Sequence, residues 1–135
     1  MRRKKGYTLV ENLVALFIIA IVIIGSVKFY IESKKSLNNI NNKSTMYTNL
    51  KISQEFIVNK VRECNEININ SGKIYIDGNE LYVRGEILRY KTSSQQISPD
   101  IIKVSIENIG DDTYKVTIKG RADTVVSIVK RGGFD

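Results

Sequence analysis

Fifteen consecutive residues, LVALFIIAIVIIGSV from Leu13 to Val27, carry no charge, and Arg2, Arg3, Lys4 and Lys5 stand just ahead of them. Counted back to Tyr7, the segment reaches twenty-one residues, and its clearly polar members are Thr8, Glu11, Asn12 and Ser26. A helix of about twenty residues crosses the roughly 30 Å of bilayer hydrocarbon. Leu13, Val14, Leu16, Phe17, Ile18, Ile19, Ile21, Val22, Ile23 and Ile24 are therefore the candidate membrane helix. Four cations before the run predict a cytoplasmic N-terminus, with everything after Lys28 on the other side.

Three readings of the run compete. A secretory signal peptide needs small residues in an A-x-A-like pattern after its apolar core; Ile24 stands where that pattern requires a small side chain. A plain membrane anchor accounts for the length and the basic flank. It gives no role to Glu11, and an acid at the edge of a membrane helix is costly and usually functional or paired. From the residues alone, the plain anchor and a functional Glu11 stay level, since Glu11 sits close enough to the cytosolic end to reach water.

The rest of the composition removes several function classes. The chain has no His, one Cys and one Pro among 135 residues. One cysteine closes no intrachain disulfide, and without His neither a His/Cys zinc site nor a Ser-His or Cys-His nucleophile pair can be built. No cofactor is expected and no catalytic residue is assigned.

After Val27 an apolar repeat continues at three- and four-residue spacing through Leu37, Ile40, Tyr47, Leu50, Ile57, Val61 and Cys64. The expectation is a helix from about Tyr7 to about Glu66, with Asn38, Asn39, Asn41 and Asn42 as the place where it would bend or break. Cys64 reads as a buried small hydrophobe. From Gly72 the pattern changes to period two. Lys73–Ile76, a turn at Asp77-Gly78-Asn79, and Glu80–Arg84 form a hairpin, followed by a strand at Glu86–Lys91. Residues 92–100, TSSQQISPD, read as a polar loop. Ile101–Ile109 and Thr113–Lys119 form a second hairpin about Gly110-Asp111-Asp112, Thr124–Val129 a last strand, and Lys130–Asp135 a mobile tail. The fold class is α+β: a long N-terminal helix, apolar in front, packed on an antiparallel sheet of four to six strands.

Gly6-Tyr7-Thr8-Leu9-Val10-Glu11, continued by Leu13-Val14-Ala15-Leu16, resembles the class III leader of type IV pilins and pseudopilins. The resemblance covers roughly residues 1 to 31, and the helix-plus-sheet layout agrees with it. It implies a leader at 1–6, a transmembrane and assembly half of the helix at 7–31, an amphipathic half with connector at 32–71, and a sheet head at 72–135. It implies cleavage after Gly6 by a prepilin peptidase and methyltransferase, which also N-methylates Tyr7. Glu11 then pairs with the freed amine of a neighbouring subunit and sets assembly register. The implied partners are other pilins through the N-terminal helix, the inner-membrane assembly platform and, for the precursor, the membrane itself. Loss of the four leader cations leaves 17 basic against 14 acidic side chains, so +7 becomes +3 and the basicity is mostly a topology signal. No Pro lies at Gly25–Lys28, where major pilins often carry one, which points to a minor pilin.

Weaker signals are set beside plainer ones. Asp111 and Asp112 could hold calcium, but an Asp-rich turn is the favoured reading. Lys130 and Arg131 with Phe134 could touch nucleic acid, but three residues do not outweigh a solvated tail. Tyr75, Tyr82, Tyr90 and Tyr114 read as cross-strand packing.

Overall fold

A computed structural model describes residues 3–92 and 94–132, with side chains from Thr8 onward. Arg2 and Phe134, and the side chains of Arg3, Lys4, Lys5, Gly6 and Tyr7, lie outside the described residues.

One helix, α1 (Arg3–Glu63), is followed by eight strands: β1 (Ile67–Asn70), β2 (Lys73–Ile76), β3 (Asn79–Arg84), β4 (Ile87–Tyr90), β5 (Gln96–Pro99), β6 (Ile101–Gly110), β7 (Thr113–Gly120) and β8 (Thr124–Lys130). The helix is unbroken through the Asn38–Asn42 cluster. Four weak helix formers in a 61-residue element cost only tenths of a kcal/mol each, too little to break a helix already propagating. The chain forms two compact units, Met1–Asn41 and Asn42–Asp135.

In the second unit the rear of α1 packs on the strands. Leu50, Ser53, Ile57, Val61 and Cys64 are buried along one face and meet Ile74, Ile76, Leu81, Leu88 and Tyr90 from the early strands, and Ile101, Ile106, Val116, Ile118 and Val129 from the late ones. The α+β arrangement of helix on antiparallel strands is thus present. The strands form two sheets, in the orders β1-β2-β3-β4-β5 and β6-β7-β8, where the sequence suggested a single sheet of four to six strands.

Two strands escaped the sequence reading. β1 pairs antiparallel with β2, Ile67 opposite Ile76, ahead of Gly72 where the period-two pattern was expected to begin. β5 lies within the stretch read as a polar loop and pairs with β4 across an irregularity at Leu88/Arg89. It is an edge strand, the place where a sheet accepts Pro99.

Two turns explain their residues. Asp77 and Gly78 both adopt left-handed backbone (φ 52° and 78°), the geometry of a two-residue hairpin turn. Asp111 and Asp112 do the same (φ 49° and 53°), and Asp tolerates that region better than most side chains. The Asp-rich turn reading of this pair holds.

The end of α1 is fastened on three sides. The Asp77 carboxylate accepts the backbone N–H groups of Asn65 (2.8 Å) and Glu66 (3.1 Å), which lie just past the last helical turn. The backbone N–H of Gly132 donates to the Arg62 carbonyl at 3.0 Å. The Arg131 guanidinium donates to the Asn65 carbonyl and to Asp112 Oδ1, the latter at 2.7 Å. Lys130 closes β8 and Arg131 is clamped, so through Gly132 the expected mobile tail is ordered structure. The reason is chemical: a five-donor guanidinium can satisfy a helix-end carbonyl and a carboxylate together.

At the other end of the packed face, Asn49 Nδ2 donates to Asp100 Oδ2 (2.8 Å). The hydroxyls of Ser53 (3.0 Å) and Ser98 (2.9 Å) donate to the Asn49 carbonyl. Neither buried serine is left without a partner, as burial requires.

Candidate functional site

Within the first unit, the front of α1 has no internal partner for its apolar surface. From Leu9 to Ile31 its large apolar side chains are all more than half exposed, from Val14 and Ile19 at 53% to Phe29 at 73%. Leu13, Leu16, Phe17, Ile18, Ile21, Val22, Ile23 and Ile24 all belong to this surface. Apolar area left in water costs about 25 cal/mol per Å², so a helix greasy on every side requires lipid or other helices around it. Among the described residues this is the one helix long and apolar enough to cross a membrane.

Its few polar groups are placed accordingly. Ser26 Oγ donates to the Val22 carbonyl at 2.7 Å, so the hydroxyl is satisfied by its own helix and costs little in an apolar medium. A Cβ at Gly25 would meet nothing within 4 Å, so its own unit does not require a glycine there. Glu11 is exposed on the helix, with Leu9, Val10, Leu13 and Val14 exposed around it. Positions 7 and 11 both lie in α1, and their four-residue spacing places them one turn apart on one face. The backbone thus sets the expected processing point and the acid side by side.

Elsewhere the candidate chemistry resolves into structure. Among the described residues no three His, Cys, Asp or Glu gather to hold a metal ion. Asp112, raised as a calcium ligand from the sequence, instead holds Arg131. Arg131, raised as a nucleic-acid contact, is the other half of that pair. Tyr90 and Tyr114 are buried, and half-buried Tyr75 and Tyr82 stand opposite Glu80 and Arg89, the packing role expected of them. Tyr90 also meets Phe56 edge-on at 5.7 Å and donates its hydroxyl to the Ile76 carbonyl at 3.0 Å. Burial lifts the Tyr90 phenol above its ordinary value.

Cys64 is buried at the end of the helix stripe, its thiol donating to the Val61 carbonyl at 3.2 Å. Burial, then the nearby Asp77 charge, pushes the thiol above its ordinary 9.0. It is a protonated core side chain, as the sequence suggested.

Three residues of the expected amphipathic stripe behave differently. Leu37 (60%), Ile40 (58%) and Tyr47 (51%) are exposed, and burial begins only at Leu50. Leu37 and Ile40 belong to the first unit with the exposed front of α1, whereas Tyr47 lies in the second unit ahead of its buried stripe.

Comparison with protein-family models bears on the front of the helix. Residues 1–27 match the prokaryotic N-terminal methylation motif. The chain carries the class III leader of type IV pilins. Comparisons with curated proteins and with solved structures find no match. A class III leader implies processing by a prepilin peptidase and assembly with other pilins, and proteins of this motif are structural. With an apolar helix behind it, the leader fits a membrane-anchored precursor and a surface filament.

Proposed function

We propose that the protein is a structural, minor-pilin-like subunit of a type IV pilus filament. The observation that carries this reading is the continuity of the methylation motif with a helix whose apolar surface is exposed on every side. The precursor waits in the inner membrane with Arg2, Arg3, Lys4 and Lys5 on the cytoplasmic side. The peptidase cuts after Gly6, where the missing side chain lets it approach the backbone closely, and methylates Tyr7. The freed helix passes from lipid to a bundle of similar helices. That exchange between two apolar surroundings gains little from water exclusion, so packing and polar contacts decide it. Glu11 supplies the polar contact: inside the bundle it meets the amine of a neighbouring subunit, and the pair fixes axial register.

The absence of Pro at Gly25–Lys28 and the small head favour a minor subunit. A pseudopilin of a type II secretion or competence DNA-uptake system would use the same leader and helix. Neighbouring genes discriminate these cases: a retraction ATPase marks a pilus, a secretin with secretion components marks type II secretion. Replacing Gly6 with Leu tests the processing step. The expected result is an uncut precursor retained in the membrane. Normal processing of that variant would count against a prepilin peptidase acting at Gly6, whereas an intact N-terminus on the unaltered protein would mark an uncleaved single-pass membrane protein.

A further inference from the structure

Where the two sheets of the second unit meet, a groove runs along β6. One cavity of about 290 Å³ lies between Lys73, Glu80 and Tyr82 on one side and Ile102, Lys103 and Val104 on the other. A second, of about 200 Å³, shares Gly72, Ile74, Lys103 and Val104 with the first and continues past Ile69 and Ile106. Together the cavities touch an unbroken run of β6, residues 102–106. Side chains of a strand alternate between its two faces, so an unbroken run on one wall means that β6 turns its edge to the groove.

That edge is free. β6 ends the order β6-β7-β8, with β7 on its other side. Past the bond from the Ile101 N–H to the Glu86 carbonyl (3.1 Å), no backbone hydrogen bond joins β6 to β2 or β3 among the described residues. On the facing wall the ladder of β2 with β3 ends at Ile74 opposite Leu81, and Tyr82 lies beyond it. Free strand edges are templates for pairing with another chain.

The groove is also charged. Lys73 and Lys103 are exposed, and neither has an ion-pair partner among the described residues. Lys103 stands directly opposite Lys119 in the β6–β7 ladder, a like-charge pairing that costs stability. Half-buried Glu80 is the one acid that lines the first cavity, and it too is without an ion pair. Cations therefore dominate. Ile69 and Ile102, each 44% exposed, supply apolar surface.

We propose that the groove takes an extended acidic peptide segment of another protein as an added strand on β6. A peptide is the occupant because the wall it meets is main chain, whose N–H and C=O groups pair with another backbone. The alternation along β6 sets the side chains of the added strand: acidic on the Lys103 side, apolar on the side of Val104 and Ile106. Main-chain bonds supply affinity, and the lysines select for acid. This goes beyond the proposed function, since it gives the head a partner of its own and does not depend on cleavage after Gly6.

The test uses the full-length protein in detergent and a capped, fluorescein-labelled peptide, Val-Asp-Val-Asp-Val, followed by fluorescence anisotropy. The expected result is saturable binding, with Val-Lys-Val-Lys-Val failing to bind. Lys73→Glu with Lys103→Glu should weaken the acidic peptide about tenfold and admit the basic one, at an unchanged melting temperature. The acidic peptide methylated on every backbone amide keeps its charge but loses its donors, and should bind at least about tenfold more weakly. Free aspartate should not compete. No saturable binding, indifference to the lysine reversals, or equal binding of the methylated peptide overturns the added strand. Competition by free aspartate at the peptide's own concentration overturns it as well, since the groove would then hold a small anion. The mass of the N-terminus is read on the same protein, so failure here with normal cleavage defeats this contact alone.

Discussion

The same substitution, made five residues apart on one helix, separates the packed face of α1 from its exposed ridge. Ile57 is fully buried in the core cluster, whereas Ile52 is 45% exposed. Ile57→Ala removes side-chain atoms from a fully buried site of the core cluster and leaves a cavity. Such truncations cost about 2–5 kcal/mol. Ile52→Ala forfeits contacts on one side only and opens no cavity, so its cost is about 0.5 kcal/mol or less, typical of the surface. For a unit of 94 residues, each kcal/mol moves the melting temperature by roughly 4–8 °C. The full-length protein in detergent, followed by the near-ultraviolet signal of buried Tyr90 and Tyr114, should lose at least about 8 °C in Ile57→Ala and no more than about 4 °C in Ile52→Ala. Equal shifts in the two variants would show that the helix does not seat on the sheets through the Leu50–Ile57–Val61 face. A large shift in Ile52→Ala alone would place the core on the opposite side.

Other consequences are open to measurement. Arg131→Ala leaves the Asn65 carbonyl and Asp112 without their donor and should cost about 1–3 kcal/mol, while Arg131→Lys recovers only part; denaturant titration of the three proteins checks the order. Cys64 should resist alkylation in the folded protein at neutral pH and react on unfolding. Because its thiol pKa is raised in the folded state, folded Cys64 holds its proton more tightly than the unfolded chain does. Its contribution to stability is complete below the ordinary value of 9.0 and declines as pH rises through the higher folded value, so melts should fall in alkali. Cys64→Ala should lessen that alkaline loss. Glu11→Val should insert in the membrane normally yet enter filaments poorly; filament content equal to the wild type would remove the register role of Glu11.

Much of this architecture can be read from residue order, and the exceptions have physical causes. The membrane run and the acid near its start are visible because composition and spacing alone encode them. The hairpin at Asp77-Gly78 is visible because few residues tolerate its backbone. β1 escaped because Asn68 and Asn70 are poor strand formers, held in the sheet only by the pairing of Ile67 and Ile69 with β2. β5 escaped for a similar reason: Gln96, Ser98 and Pro99 acquire strand geometry from β4, not from their own preference. The repeat through Leu37, Ile40 and Tyr47 looks identical to that through Leu50 and Ile57. Periodicity marks an apolar face without saying whether the partner lies in the same molecule. The Arg131 clamp joins groups far apart in the chain and leaves no local pattern.

The most direct test concerns the mature N-terminus. Intact-mass and N-terminal peptide analysis of the protein from cells with an active prepilin peptidase should find a chain that begins at N-methylated Tyr7, lighter by the six leader residues. A chain that retains Arg2 through Gly6 under those conditions would contradict the account.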